Sequence, residues 1–363
     1  MSEKWIALLG RCDKPTDAVE DYCRYLGEAL RGHGVELCLE RVEWNRAGWS
    51  KALQELRQHA TAWRGQQILV QYTALAWSAR GFPGRFLRVL RVLRASGARV
   101  GVVFHDVEPY SGQRLIDKLR RAVQVRTMRG ALAFADAAIF TVPLEKISWK
   151  PKGLAKAKFI PVGANLPLSG QVARAVGAGT PSVTAAVFGI TGGEAGERET
   201  REILAAVRQA AQQAGAFRLK VFGRHAEDRE AVLREGLRDV PVEVSVEGVL
   251  NGQEVVERLR ASDVLVFVRG GISTRRSSAI AGIAAGLPVI ARAGSETAAP
   301  ITEAGIIFYS EEEGNVLGAM LTRVLRDADY RQTLAAKSRN AYEKYFSWPA
   351  IARKYLQALT PGA

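Results

Sequence analysis

The chain has 363 residues, 47% hydrophobic and 24% charged, enough for two domains with a core each. It shows no apolar run of membrane-spanning length, no signal-peptide core in residues 1–14, and three cysteines (Cys12, Cys23, Cys38) without metal-type spacing, expected as free thiols in a reducing cytoplasm. The net charge of +14 is uneven: residues 80–160 hold 17 basic and 5 acidic groups, whereas residues 166–363 hold 24 and 22. Such a field suits nucleic acid, anionic lipid or a polyanionic substrate. No nucleic-acid module accompanies it, so nucleic acid is not an expected partner. Two readings remain for residues 80–160: a face toward an anionic membrane surface, or a solvated basic face.

Short apolar, β-branched runs alternate with longer amphipathic stretches, the pattern of βα units around a parallel sheet. In the first half, strands are predicted at 5–9, 36–42, 67–72, 99–104, 137–141 and 158–162, with helical stretches between. The stretch 17–31 places apolar residues on one face, and Gly32 and Gly34 end it. The stretch 85–95 repeats arginine at 85, 88, 91 and 94 beside a leucine/valine face. It reads either as a helix packed on the sheet with snorkelling arginines or as a membrane-docking face. Glycine and proline cluster over 163–182, where a linker is expected. The second half begins again with strands at 183–188, 218–222, 242–246, 264–268, 288–291 and 306–309. Helices are predicted at 197–214, 226–237, 252–261, 276–285, 314–327 and 330–345, and a last one at 348–359. Two such series imply two doubly wound α/β domains, each binding ligands where strand ends meet helix N-termini.

Three stretches carry chemistry. The segment 262–290 reads as a strand, a glycine- and hydroxyl-rich turn (Arg269-Gly270-Gly271-Ile272-Ser273-Thr274-Arg275-Arg276-Ser277-Ser278), a helix of small residues and another strand. Ser273 or Thr274 is expected to cap that helix, and two arginines with two serines at its start suit a diphosphate. His105 follows an apolar strand and is the histidine best placed for chemistry, ahead of His33, His59 and His225. Gly10-Arg11 through Asp17 forms the loop after the first strand. No P-loop, zincin motif, nucleophile elbow or paired-cysteine site appears, and no metal site is expected.

In this order, the features resemble the GT-B glycosyltransferases, in particular the retaining group 1, family-4-like enzymes. Phe104-His105-Asp106 resembles that family's His-Asp/Glu strand end, Val246-Glu247-Gly248-Val249 with Leu259-Arg260-Ala261-Ser262-Asp263-Val264 its G-x-V … L-x-x-A-D-V stretch, and Ala285-Gly286-Leu287-Pro288-Val289-Ile290 its A-x-G-x-P-V-V. The resemblance implies two Rossmann-like domains facing a central cleft. The acceptor domain would span 1–165, the linker 166–182 and the nucleotide-sugar domain 183–345, with 346–363 crossing back to the first domain. It implies transfer of a sugar from a nucleotide-sugar donor to a glycan or lipid-linked acceptor, with retention, by a hexosyltransferase that needs no cofactor or metal. Its location would be cytoplasmic, peripheral on the inner face of the cell membrane.

By position, His105, Arg275 and Arg276 would be catalytic. Gly10, Arg11, Asp17, Gly223, Arg224, Gly248, Val249, Leu250, Gly271, Ser273, Thr274, Ser277 and Ser278 would bind the donor. The chain departs from the family in two places. Ser273 and Ala281 stand where the E-x7-E carboxylates fall, leaving an S-x-R-R-x-S variant, and Phe188–Gly193 lacks the Arg…Lys pair, for which Arg198 or Arg201 would substitute. The lost glutamates also admit a non-catalytic nucleotide-sugar binder or partner subunit. A third reading, epimerisation or hydrolysis, would need Asp106 and Glu108 as acid and base.

Overall fold

The computed structural model describes residues 3–14, 16–149, 155–168, 183–310 and 316–359. The chain divides into two compact units, Met1–Val162 with Trp348–Ala363, and Gly163–Ser347. Residues 169–182 of the expected linker lie outside the described residues.

The first unit runs β1 (Glu3–Leu9), α1 (Ala18–Arg31), β2 (Val35–Arg41), α2 (Trp44–Ala47), α3 (Trp49–Ala60), β3 (Gln67–Tyr72), α4 (Phe86–Ala95), β4 (Arg99–Phe104), α5 (Leu115–Phe134), β5 (Ala137–Phe140) and β6 (Ala157–Phe159). Its strands pair in parallel in the order β2-β1-β3-β4-β5-β6. Helices cover both faces of such a sheet, so its strands read as unbroken apolar runs; every residue of β3 is buried. Helix α1 buries Tyr22, Cys23, Leu26 and Leu30, with Asp17 as its cap. Gly32, expected to end this helix, has right-handed backbone (φ −62°), and Gly34 at φ 77° makes the left-handed turn into β2.

Helix α4 settles one of the open readings. Phe86, Val89, Leu90 and Leu93 are fully buried, so its apolar face is spent on the sheet. Its arginines lie outside, Arg91 over the Phe134 ring and Arg85 over Trp49. The membrane-docking reading of this helix is corrected accordingly.

The second unit runs β7 (Thr184–Phe188), α6 (Gly193–Ala214), β8 (Phe217–Phe222), α7 (Glu230–Gly236), β9 (Val242–Glu247), α8 (Gly252–Arg260), β10 (Val264–Phe267), α9 (Ser277–Ala284), β11 (Val289–Arg292), β12 (Ile306–Tyr309), α10 (Val316–Arg326) and α11 (Ala328–Ala341). The strands are again parallel, in the order β12-β11-β10-β7-β8-β9. The small residues of α9 let it lie close on the sheet: a Cβ on Gly282 would sit 2.4 Å from Leu265 Cδ2. The last helix, α12 (Trp348–Leu359), joins the first unit, where Trp348 stacks on Tyr25 and Tyr355 shares a buried 2.8 Å hydroxyl–hydroxyl bond with Tyr22 of α1. No helix among the described residues is long and apolar enough to cross a membrane.

Candidate functional site

In a doubly wound sheet the crevice opens at the carboxyl edge where strand order reverses. That point is β1/β3 in the first unit and β7/β10 in the second. Each carries residues that the sequence singled out.

At β1/β3 a cavity of about 220 Å³ is lined by Gly10, Arg11, Asp17, Arg41, Gln71 and Asp106, among others. Gly10 is required by close approach: a Cβ there would lie 2.3 Å from the Ala76 carbonyl oxygen, which also accepts from Arg11 N and Trp44 Nε1. Asp17 has structural work. One carboxylate oxygen accepts from Val19 N and Glu20 N to cap α1, and the other takes Arg41 Nη2 at 3.2 Å. Arg41 also holds Glu20 at 2.7 Å and donates to the Gly10 carbonyl at 2.7 Å, so the acidic loop is neutralised from within.

His105 stands at the end of β4. Its Nε2 lies 2.8 Å from Gln71 Oε1, an acceptor only, so Nε2 carries the proton in this pair. Tyr22 meets the imidazole edge-on at 5.0 Å. Asp106 Oδ2 accepts from Ala74 N at 2.7 Å, and Glu108 accepts from Ser148 N and Oγ. Both carboxylates named for acid–base work thus tie loops together.

The β7/β10 edge is different. Gly189 turns the chain at φ 77°, and the guanidinium of Arg269, two residues past the end of β10, lies 3.3 Å from where its Cβ would be. Thr191 N and Oγ1 both donate to Glu199, which is 8% exposed, and this pins the loop that opens α6 at Gly193. Burial lowers the Arg269 pKa; Glu199 opposes the shift and Arg224 adds to it. Arg276 is lowered to about 10, by burial first and then by Arg275. It remains charged at neutral pH, and its buried Nε has no hydrogen-bond acceptor.

Two neighbouring arginines are by contrast ion-paired. Arg275 forms a two-point pair with Glu296, at 2.7 and 3.0 Å, and Ser273 Oγ donates to the same carboxylate. Burial raises the Glu296 pKa, but the bond and charge of Arg275 outweigh it and hold the carboxyl below its usual range. Arg292 pairs with Glu202 at 2.9 Å.

The expected cap is corrected here. Helix α9 begins at Ser277 with Arg276 at the cap position and no side-chain cap bond, while Ser273 and Thr274 are fully buried ahead of it. Ser273 is occupied with Glu296, so the arginine side of the turn, and not its hydroxyls, meets the helix start. Ser277 and Ser278 sit half-buried in the first turn, whose amides have no intrahelical acceptor. Ala281 is buried at 1% exposure in α9.

The other expected donor-binding positions form a stitched rim. Gly223 N donates to the Gly248 carbonyl at 2.8 Å, joining the ends of β8 and β9, and a Cβ on Gly248 would strike the Glu227 carboxylate. A Cβ on Gly271 would meet Gly294 Cα at 2.8 Å. Val249 is about half exposed and Leu250 half-buried. The Arg224 carbonyl accepts from Ile190 N. His225, next in line, is held at φ 60° and pairs through Nδ1 with Asp228 at 2.8 Å.

Residues missed in sequence are Arg269, Glu199, Glu296, Gln71 and Arg41. Arg269 carried a signal: it follows an apolar strand just as His105 does. The carboxylates carried none, since each meets its partner across a turn or a long separation. Arg198 and Arg201 are exposed on α6, and Arg269 is the cation against Gly189.

No protein-family model matches the sequence, and no curated protein matches it either. Solved structures do. HepE of Anabaena, in complex with UDP and glucose, is 13% identical, with 98% of this chain and 99% of that one covered at a TM-score of 0.64. Sucrose-phosphate synthase of Thermosynechococcus elongatus is 19% identical, with 98% of each chain covered at 0.67. A putative UDP-N-acetylglucosamine 2-epimerase of Listeria monocytogenes is 11% identical, with 99% and 96% covered at 0.62. Two six-stranded parallel sheets with flanking helices, matched over nearly the full length of these proteins, define the GT-B fold. The third neighbour shows that the fold alone does not choose the chemistry.

Proposed function

We propose that the chain is a glycosyltransferase that takes a nucleotide-sugar donor, with the donor diphosphate held at the β7/β10 edge by Arg269, Arg276 and the first turn of α9. The observation that carries this is the pair of partly buried guanidiniums, Arg269 and Arg276, neither of which makes an ion pair among the described residues. Glu199, and at Arg276 also Glu296, offset these charges only from beyond ion-pair distance; keeping such cations out of water is costly, and a diphosphate supplies a direct counter-charge. Their chemical task would be to stabilise the charge that grows on the leaving diphosphate. Arg275, bound to Glu296, would position the turn. His105 is assigned to the transferred sugar through the family resemblance, as are retention and the hexosyl donor. HepE, solved with UDP and glucose, makes a uridine nucleotide the first ligand to try.

A lipid-linked acceptor and a peripheral, cytoplasmic-face location complete the proposal. Support comes from α5, where Leu115, Ile116 and Leu119 are 83%, 49% and 55% exposed. Beside them Lys118, Arg121, Arg126 and Arg129 line a surface hollow of about 770 Å³. Exposed leucines ringed by cations suit an anionic lipid surface.

The test is thermal-shift binding of UDP, GDP, ADP, dTDP and CDP to wild type and to Arg269→Ala/Arg276→Ala. A ligand at 100-fold its Kd adds about 2.7 kcal/mol of stability. One nucleotide should stabilise the wild type and not the double variant. Binding without transfer to any acceptor would favour the non-catalytic reading, which rests on buried Ala281 in place of a carboxylate; no binding at all would remove the donor site. For the membrane part, sedimentation with phosphatidylglycerol vesicles should fall with salt and with Leu115→Glu/Leu119→Glu, and an absence of binding at low salt would refute it.

A further inference from the structure

Gln71 is a polar residue in β3, a strand buried at every position, and is itself only 2% exposed. An amide taken out of water is costly unless both its ends are bonded. Here both are. Gln71 Nε2 donates to the Leu69 carbonyl at 3.1 Å, and Oε1 faces His105 Nε2 at 2.8 Å. The first bond decides the second. With the amide turned over, Oε1 would face the Leu69 carbonyl, acceptor against acceptor. The strand's own carbonyl thus fixes the amide, and the amide presents an oxygen to the imidazole.

The surroundings hold both groups in place. Trp77 Nε1 donates to the Gln71 carbonyl at 2.8 Å, and His105 N donates to the Tyr72 carbonyl at 3.0 Å. Tyr22 packs edge-on against the ring, and its hydroxyl is bonded in turn to that of Tyr355. An oxygen acceptor at Nε2 keeps the ring proton there, and in a neutral imidazole the other nitrogen, Nδ1, is then an acceptor. Being uncharged, the amide does this without favouring the imidazolium, as a carboxylate in its place would.

We propose that Gln71 is a positioning residue that holds His105 as the neutral ring protonated at Nε2, so that His105 accepts a hydroxyl of the transferred sugar at Nδ1 and does not donate to the leaving diphosphate. The sugar half rests on the glycosyltransferase reading, and the proton half stands without it.

Nuclear magnetic resonance of the full chain with isotopically labelled histidine reads the proton directly, at about pH 8, above the ordinary histidine range. The chain has four histidines, and the spectrum of His105→Asn assigns the one in question. Wild-type His105 should carry a slowly exchanging proton on Nε2 and none on Nδ1. Gln71→Met, similar in volume but without the amide, should lose that protection, and Gln71→Glu, which puts an oxygen back, should recover it; circular dichroism melts verify folding. A role in packing alone would leave the Met variant unchanged. A proton on Nδ1 of the wild type, or a protected Nε2 proton that survives Gln71→Met, overturns the proposal, and the wild-type result decides even where a variant fails to fold. For the sugar half, calorimetry compares UDP-glucose with UDP. Gln71→Met should weaken UDP-glucose about fivefold, the worth of one neutral hydrogen bond, and leave UDP within about twofold. Equal loss of both would put His105 on the diphosphate and overturn that half. If neither ligand binds the wild type, the donor reading fails and the sugar half falls with it, while the proton measurement still decides the role of Gln71.

Discussion

The carboxyl edges of the two sheets are built on the same plan and balanced in opposite ways. At β1/β3 Arg41 binds Asp17, Glu20 and the Gly10 carbonyl, and His105 binds Gln71. At β7/β10, Arg275 and Arg292 pair with Glu296 and Glu202, while Arg269 and Arg276 make no ion pair among the described residues. An internally satisfied edge is a stable scaffold. On the proposed reading, an edge with surplus buried cations trades stability for affinity toward an anion. The proposed place of the donor diphosphate rests on this contrast.

Three changes would break or sharpen this contrast. The largest effect is expected from Gly10→Ala, where a methyl group placed 2.3 Å from a backbone oxygen should cost about 3 kcal/mol in denaturant unfolding. Gly10 is also a position that the resemblance gives to the donor, so nucleoside diphosphate affinity is measured on the same variant: a change within about threefold would limit Gly10 to a structural role. A loss of affinity equal to the loss of stability would mean that the edges do not divide the work.

Glu296→Gln should cost about 2 kcal/mol by leaving Arg275 unmatched, and tighten nucleotide binding several-fold by freeing that cation. The pH dependence has a definite sign. The Glu296 carboxyl is held below its unfolded value, so its stabilisation is present above the ordinary glutamate range and is lost as pH falls through the folded value. Acid unfolding of the Gln variant should therefore lack that component; an unchanged acid limb would show that the pair contributes nothing.

The smallest effect, and the one opposite in sign, is Arg276→Met. Removing an unmatched buried cation should raise stability by about 1 kcal/mol while nucleotide binding falls. If the melting temperature falls instead, Arg276 has a structural partner in solution and the surplus-charge account fails.

Local pattern was enough for most of the fold. The runs at 67–72, 99–104 and 306–309 coincide with β3, β4 and β12, and the stretch 348–359 coincides with α12. Boundaries moved where loops do other work. Helix α6 starts at Gly193, ahead of the expected 197, because Thr191 and Glu199 draw the glycine turn into the helix start. The turn 269–278 was legible as a glycine- and arginine-rich turn from strand to helix, but which of its arginines is ion-paired was not.

Hydrophobic period and glycine placement are local quantities, so the amino-acid order alone determined two doubly wound sheets and marked their strand ends as the places for chemistry. Whether a given arginine is spent or available depends on a carboxylate that the chain brings back from elsewhere: Glu296 reaches Arg275 across 21 positions, Glu202 reaches Arg292 across 90, and among the described residues no carboxylate comes within ion-pair distance of Arg276. Burial then sets the worth of the unmatched charge, and burial is a property of packing that no single stretch of sequence contains.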